Sequence, residues 1–139
     1  MTAGRVFFDT NVLLYMHSSA DGRKQTRAQE LFQQFGQAGQ VLLSTQVIQE
    51  FFAAAVRKLS LPADLAREVA TALLDLPLVI VGPEHIRQAM VDQERFRISF
   101  WDALILAAAE AGGAEVLFTE DLNHGQTYGS VMVRNPFRD

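Results

Sequence analysis

Arg5-Val6-Phe7-Phe8-Asp9-Thr10-Asn11 decides how the rest of the chain is read: four residues rich in β-formers run directly into three that favour turns and helix starts. The stretch predicts a buried strand, a tight turn and a helix, with a carboxylate at the strand's carboxyl end. Moving outward, Lys24 to Phe35 places Ala28, Leu31, Phe32 and Phe35 at helical spacing. Gly36-Gln37-Ala38-Gly39 breaks that helix before Val41-Leu42-Leu43, a second strand. Ser44 or Thr45 then caps a helix reaching about Leu59, with Val47, Ile48, Phe51, Phe52, Ala55 and Val56 on one face. Another helix spans Ala63 to Leu74, Pro77 to Val81 reads as a third strand, and Glu84 to Arg95 as a helix started by Pro83. Trp101 to Ala111 is apolar nearly all round and predicts a buried helix, stopped by Gly112-Gly113 before a fourth strand, Val116-Leu117-Phe118. Val131-Met132-Val133 reads as a short fifth strand, and the loop from Asn123 to Ser130 is the longest candidate for mobile structure.

Strands alternating with helices through short connections imply an α/β fold with a mostly parallel sheet covered on both faces. With 139 residues, 49% of them hydrophobic and 20% charged, the chain has the size and composition of one globular domain over residues 1–139. It has no Cys, which excludes disulfides, thiolate zinc sites and Cys nucleophiles and fits a reducing cytoplasm. No stretch is apolar for long enough to span a membrane, and the first residues lack the apolar core of a signal peptide.

In an open parallel sheet, functional groups collect beyond the carboxyl ends of the strands. Asp9 follows the first strand and Glu120-Asp121 follow the fourth after Thr119. Asp102 lies in the first turn of the buried helix and Glu50 in the second turn of the helix after strand two. Each has an ordinary structural role available. Asp9 suits a helix cap, Asp102 completes a capping-box spacing with Ser99, and Asp121 suits a turn. Glu50 is different, because no basic partner lies three or four positions away and small residues flank it, which predicts a half-buried carboxylate. Taken together, four carboxylates facing one cleft would repel and raise one another's pKa, and a hard divalent cation such as Mg²⁺ or Mn²⁺ relieves that. Such ions activate water against phosphodiesters. The net charge of −4 argues against an anionic partner until these four acids are set aside, which leaves twelve acids against twelve Lys and Arg.

FFDTNVLLY from Phe7, STQVIQEFF from Ser44, SFWDALILAAA from Ser99 and LFTEDLNHG from Leu117 stand in that order. Together they resemble the PIN-domain family, and within it the VapC-like toxins, over nearly the whole chain. The resemblance implies five parallel strands ordered 3-2-1-4-5, with Asp9, Glu50, Asp102 and Asp121 holding Mg²⁺ or Mn²⁺. It places Asn11 and Thr119 where they orient those acids, and leaves open whether Glu120 or Asp121 reaches the ion more directly, with Asp121 at the family's position. The implied activity is endonucleolytic cleavage of single-stranded RNA by a homodimer, blocked by a small antitoxin protein. The alternative is a PIN-like module that binds RNA or protein without cutting. A phosphatase of the haloacid-dehalogenase type needs a second Asp where Asn11 stands, so that chemistry does not fit. The aromatic residues Phe7, Phe8, Phe51, Phe52, Phe100 and Trp101 are expected in the core, and Arg23, Lys24, Arg27, Arg95 and Arg97 are the candidate phosphate contacts.

Overall fold

The structure, a computed structural model, describes residues 4–138. The run that opens the chain forms β1 (Arg5–Phe8) and α1 (Thr10–Tyr15) with Asp9 as the cap between them. There follow α2 (Gly22–Gln37), β2 (Val41–Ser44), α3 (Thr45–Arg57), α4 (Ala63–Leu74), β3 (Leu78–Val79), α5 (Pro83–Phe96), α6 (Phe100–Ala111), β4 (Ala114–Phe118), β5 (Thr127–Tyr128) and β6 (Val131–Arg134).

These strands make one six-stranded sheet ordered β3-β2-β1-β4-β6-β5, parallel except for the β5–β6 pair. Read in terms of the five expected strands, the order is 3-2-1-4-5 as the resemblance implies, with β6 as the fifth. Asn123 to Ser130 is not the plain loop expected of it. It carries β5, and its neighbours are tied down by a Gly125 N–H to Val133 carbonyl bond of 2.8 Å and an Asn123 to Gln126 side-chain bond of 2.8 Å. The third strand is also shorter than Pro77 to Val81. Only Leu78 and Val79 pair, at the sheet's edge, and Ile80 beyond them is 73% exposed.

The chain runs from β1 outward to β2 and β3, then returns to the other side of β1 as β4. Right-handed crossovers therefore put α1 to α4 on one face and α5 and α6 on the other. Helix packing agrees, since α1 touches α2 and α3, α3 touches α4, and α5 pairs with α6. Helix α6 lies between the sheet and α5, which is why Ala103 through Ala109 are all buried and need no polar face. It ends at Gly112 and Gly113, the latter at φ +79°, a conformation suited to glycine.

At the sheet's centre Phe7 and Phe8 are fully buried, and Phe8 packs against Phe32 and Phe118 with ring centroids 5.2 and 5.3 Å away. Each such side chain contributes roughly 1.5–3 kcal/mol through burial, so the strand that carries Asp9 is among the best anchored. Phe51 joins this core, but Phe52 is 38% and Trp101 62% exposed, against the expectation that all six aromatics are internal. Phe52 on α3 and Trp101 in the first turn of α6 face solvent, while Phe51 and the residues from Ala103 onward face the core. Among the described residues no helix is long and apolar enough to cross a membrane.

Candidate active site

The carboxyl ends of β1 and β4 lie side by side, because the Asp9 N–H bonds the Phe118 carbonyl at 3.0 Å. The chain diverges in opposite directions from this pair of strands, and side chains placed just beyond it share one crevice. Asp9 leaves β1 here, Thr119 and Asp121 leave β4, and the first turn of α6 delivers Asp102. Carboxylate oxygens of Asp9, Asp102 and Asp121 all lie within 4.8 Å of one another.

Each aspartate does its local duty and still faces the others. Asp9 caps α1, its Oδ1 accepting from the Thr10 N–H at 2.7 Å, while its Oδ2 accepts from the Thr119 hydroxyl at 2.8 Å. Ser99 caps α6 by accepting the Asp102 N–H at 3.0 Å, which fixes the turn that carries the Asp102 carboxylate. Asn11 donates from one amide nitrogen to Asp121 Oδ2 at 2.9 Å and to Thr119 Oγ1 at 3.2 Å. Thr119 Oγ1 also accepts the Asp121 N–H at 3.1 Å. Thr119, fully buried, is therefore the hub that joins Asp9, Asn11 and Asp121.

The electrostatics follow from burial. Asp9 is 6% exposed, and loss of water pushes its pKa up to about 7, against the opposing pull of the Thr119 and Thr10 hydrogen bonds and with further push from Asp121 and Asp102. Burial also raises the Asp102 pKa, with the Ser99 hydrogen bond opposing and Asp121 adding to the rise. Two buried amide oxygens beside these acids, Asn11 Oδ1 and Gln46 Oε1, have no donor among the described residues. The crevice thus holds more oxygen acceptors than its donors satisfy, which fits a hydrated hard cation and not a soft one.

The other predicted residues fall outside this trio. Glu50 is exposed, not half-buried. It lies at the solvent side of α3, with Oε1 accepting from the Thr10 hydroxyl at 2.9 Å and Oε2 near Gln46 Nε2 at 3.5 Å. Thr10 follows Asp9, so Glu50 stands at the rim of the crevice. Glu120 turns to different partners, accepting from Tyr15 Oη at 2.7 Å and from Lys24 Nζ at 2.9 Å. Tyr15, Lys24 and Gln46 are parts of this region that sequence reasoning did not place there. Gln46, buried in the first turn of α3 and bonded to the Trp101 carbonyl at 3.3 Å, left only the weak signal of a polar residue on an apolar face.

The family model of the PIN domain matches residues 6–129, a span that includes every acid discussed above. The chain belongs to the PIN-domain family. Solved structures with the same PIN fold include VapC20 of Mycobacterium tuberculosis, described as a toxin that cleaves the sarcin-ricin loop. It is 22% identical with a TM-score of 0.63, covering 84% of this chain and 89% of that one. A toxin–antitoxin complex from Klebsiella pneumoniae is 18% identical with a TM-score of 0.71, covering 94% and 97%. DNA-bound VapBC from Salmonella typhimurium is 16% identical with a TM-score of 0.68, covering 96% and 99%. No curated protein matches the chain by sequence. At these identities the neighbours establish a shared PIN fold, and the chemistry has to be argued from the crevice itself.

Proposed function

We propose that this PIN domain is a divalent-metal-dependent endoribonuclease that hydrolyses single-stranded RNA, and that it serves as the toxin of a toxin–antitoxin pair. The observation that carries the reading is the meeting of Asp9, Asp102 and Asp121 oxygens within 4.8 Å at the ends of β1 and β4 and the start of α6. Three carboxylates this close favour a hard divalent cation, and Asp9, Asp102 and Asp121 are the residues that would hold Mg²⁺ or Mn²⁺. When bound, such an ion lowers the pKa of water and offsets negative charge on a phosphodiester.

The chain's own groups prepare this. Thr119 and Asn11 hold Asp9 and Asp121 in register, Ser99 sets the turn of Asp102, and burial keeps the Asp9 carboxylate away from competing water. Glu50, at the rim through Thr10, is assigned to the approaching substrate side of the crevice, where its exposed carboxylate can accept a proton from water or the sugar.

The toxin role rests on likeness to the VapC and VapBC structures and on two surfaces suited to partners. An apolar groove of roughly 310 Å³ between α1, α2, α3 and α4, lined by Leu13, Met16, Phe32, Phe51, Leu65 and Val69, suits a helix of a small antitoxin. Exposed Ile86, Met90 and Val91 on α5 suit a homodimer contact.

The test is cleavage of single-stranded RNA by purified protein with Mg²⁺ or Mn²⁺. Asp9→Asn and Asp102→Asn should each lower the rate by at least a hundredfold while leaving the circular dichroism unchanged, and EDTA should stop the wild type. Full activity in either variant, or in EDTA, would remove the assignment. Wild-type binding of RNA without any cleavage would favour the non-catalytic module.

A further inference from the structure

Away from the acids, the chain gathers positive charge in one place. Arg23, Lys24, Arg27 and Arg138 surround a recess of roughly 190 Å³ whose floor is Pro136 and Phe137. This occurs in a chain of net charge −4, so it is a local choice and not the average of a basic surface. Three of the four cations lie in the first two turns of α2, whose first turn has no acid. The helix dipole is positive there, and placing cations on that end works against the helix.

The side chains are held in place. Arg27 Nε donates to the Pro136 carbonyl at 3.1 Å and Arg23 donates to the Phe137 carbonyl at 3.3 Å. Lys24 Nζ lies over the Tyr15 and Phe137 rings, 4.7 and 5.3 Å from their centroids. Among the described residues neither Arg27 nor Arg138 has a carboxylate partner within ion-pair distance. Tying Arg27 through Nε leaves the terminal fork of the guanidinium for a planar or tetrahedral oxyanion.

The recess is also joined to the acidic crevice. Lys24 bonds Glu120 at 2.9 Å, and Glu120 is the residue before Asp121. A polyanion lying across this surface would meet the carboxylates and their cation at one phosphate and the arginines at another.

We propose that this recess binds a backbone phosphate of the single-stranded RNA, flanking the phosphate presented to Asp9, Asp102 and Asp121. It rests on the ribonuclease reading and adds the place where the strand is gripped. The contact is to phosphate and so carries no base preference; it sets affinity and register.

The test compares wild type with Arg27→Gln/Arg138→Gln, using fluorescence anisotropy of a labelled single-stranded RNA in EDTA over a series of KCl concentrations, and cleavage kinetics in Mg²⁺. The double variant should bind several-fold more weakly at low salt, with the loss carried by KM. Its slope of log K against log salt should be shallower by about 0.7, the value for one phosphate contact on a single strand. Arg138→Gln alone, a change at an exposed side chain, should move both in the same direction, and Arg27→Lys should recover the slope. Arg57→Gln/Lys58→Gln, the same charge loss at the exposed end of α3, should leave slope and KM as in wild type. An unchanged slope in the Arg27→Gln/Arg138→Gln variant, or an equal fall in the α3 control, overturns the recess while leaving the nuclease intact. Wild type that binds RNA with the predicted slope difference but never cuts it overturns the nuclease reading alone, and wild type that does not bind RNA overturns both.

Discussion

The hydroxyl of Thr119 has one proton to give and two lone pairs to receive, and all three are used. The proton goes to Asp9 Oδ2, and the lone pairs accept from Asn11 and from the Asp121 N–H. That arrangement also settles the Asn11 amide, whose nitrogen must face both Thr119 and Asp121 because neither offers it a proton. A single methyl-sized change, Thr119→Val, removes the whole junction without changing volume. Its effect is readable through pH. With Asp9 raised to about 7, the folded metal-free protein holds a proton that the unfolded chain has released above about 3.8. The favourable neutral form is fully available below that ordinary value, and metal-free stability therefore falls as pH rises from about 4 through about 7, then levels. Three units correspond to roughly 4 kcal/mol.

A divalent ion competes with the same proton. Calorimetry should show apparent Mg²⁺ affinity rising by up to tenfold per pH unit below about 7 and flattening above it. In Thr119→Val, which loses a hydrogen bond to the ionised Asp9, the break should move to higher pH and affinity at neutral pH should fall by about 10–100-fold, with Thr119→Ser near wild type. A flat profile from pH 5 to 8, or an unmoved break in Thr119→Val, would show that Asp9 is not the titrating ligand. The acids themselves were legible in the sequence because each stands at a strand end or a helix start. The exposure of Glu50 was not, since it depends on how α3 is turned against the helices α1 and α4 that pack on it.

At the scale of elements, one tie spans three of them. Tyr15 at the end of α1 and Lys24 at the start of α2 both grip Glu120, in the loop after β4. The carboxylate beside Asp121 is thereby committed to holding the loop and not to the crevice. Lys24 and Glu120 are about a quarter exposed, so solvent screens the pair and its contribution to stability is modest, about 1 kcal/mol or less. Glu120→Gln should therefore keep the number of bound divalent ions and their affinity within a few-fold of wild type, by calorimetry. A loss of ion binding as large as that in Asp121→Asn would make Glu120 a ligand. The sequence pattern located the elements well where a period or a breaker marked them, as for α4, bounded by Pro62 and ending at Leu74, and for α6, stopped by its two glycines. It overextended β3, because a run of apolar residues does not reveal that it lies at a sheet edge with pairing for only two of them. It missed β5, whose two residues pair back on β6 through a turn at Gly129, φ +61°, too short a strand for any periodicity to show.

Over the whole molecule, the reversal of strand order at β1 accounts for the position of the crevice. Chain leaving β1 and chain leaving β4 turn away from each other, and side chains from residues more than a hundred positions apart meet at the gap, as Asn11 and Asp121 do. A mostly parallel sheet and the four motifs were readable in the sequence, since each motif carries a strand end or lies on a helix, and the strand order followed from the resemblance to the PIN-domain family. What only the three-dimensional structure supplies is the distances between them, and those divide the four predicted acids into three that converge and one at the rim. The net charge of −4 likewise divides in space, into an acidic crevice and the arginine-lined recess beside it. The most direct test is anomalous diffraction from a crystal of the wild-type protein soaked in Mn²⁺. The account predicts a manganese peak between Asp9, Asp102 and Asp121, bonded to their oxygens and absent in Asp102→Asn. Manganese bound only elsewhere, or a crevice that stays free of the ion at saturating Mn²⁺, would contradict it.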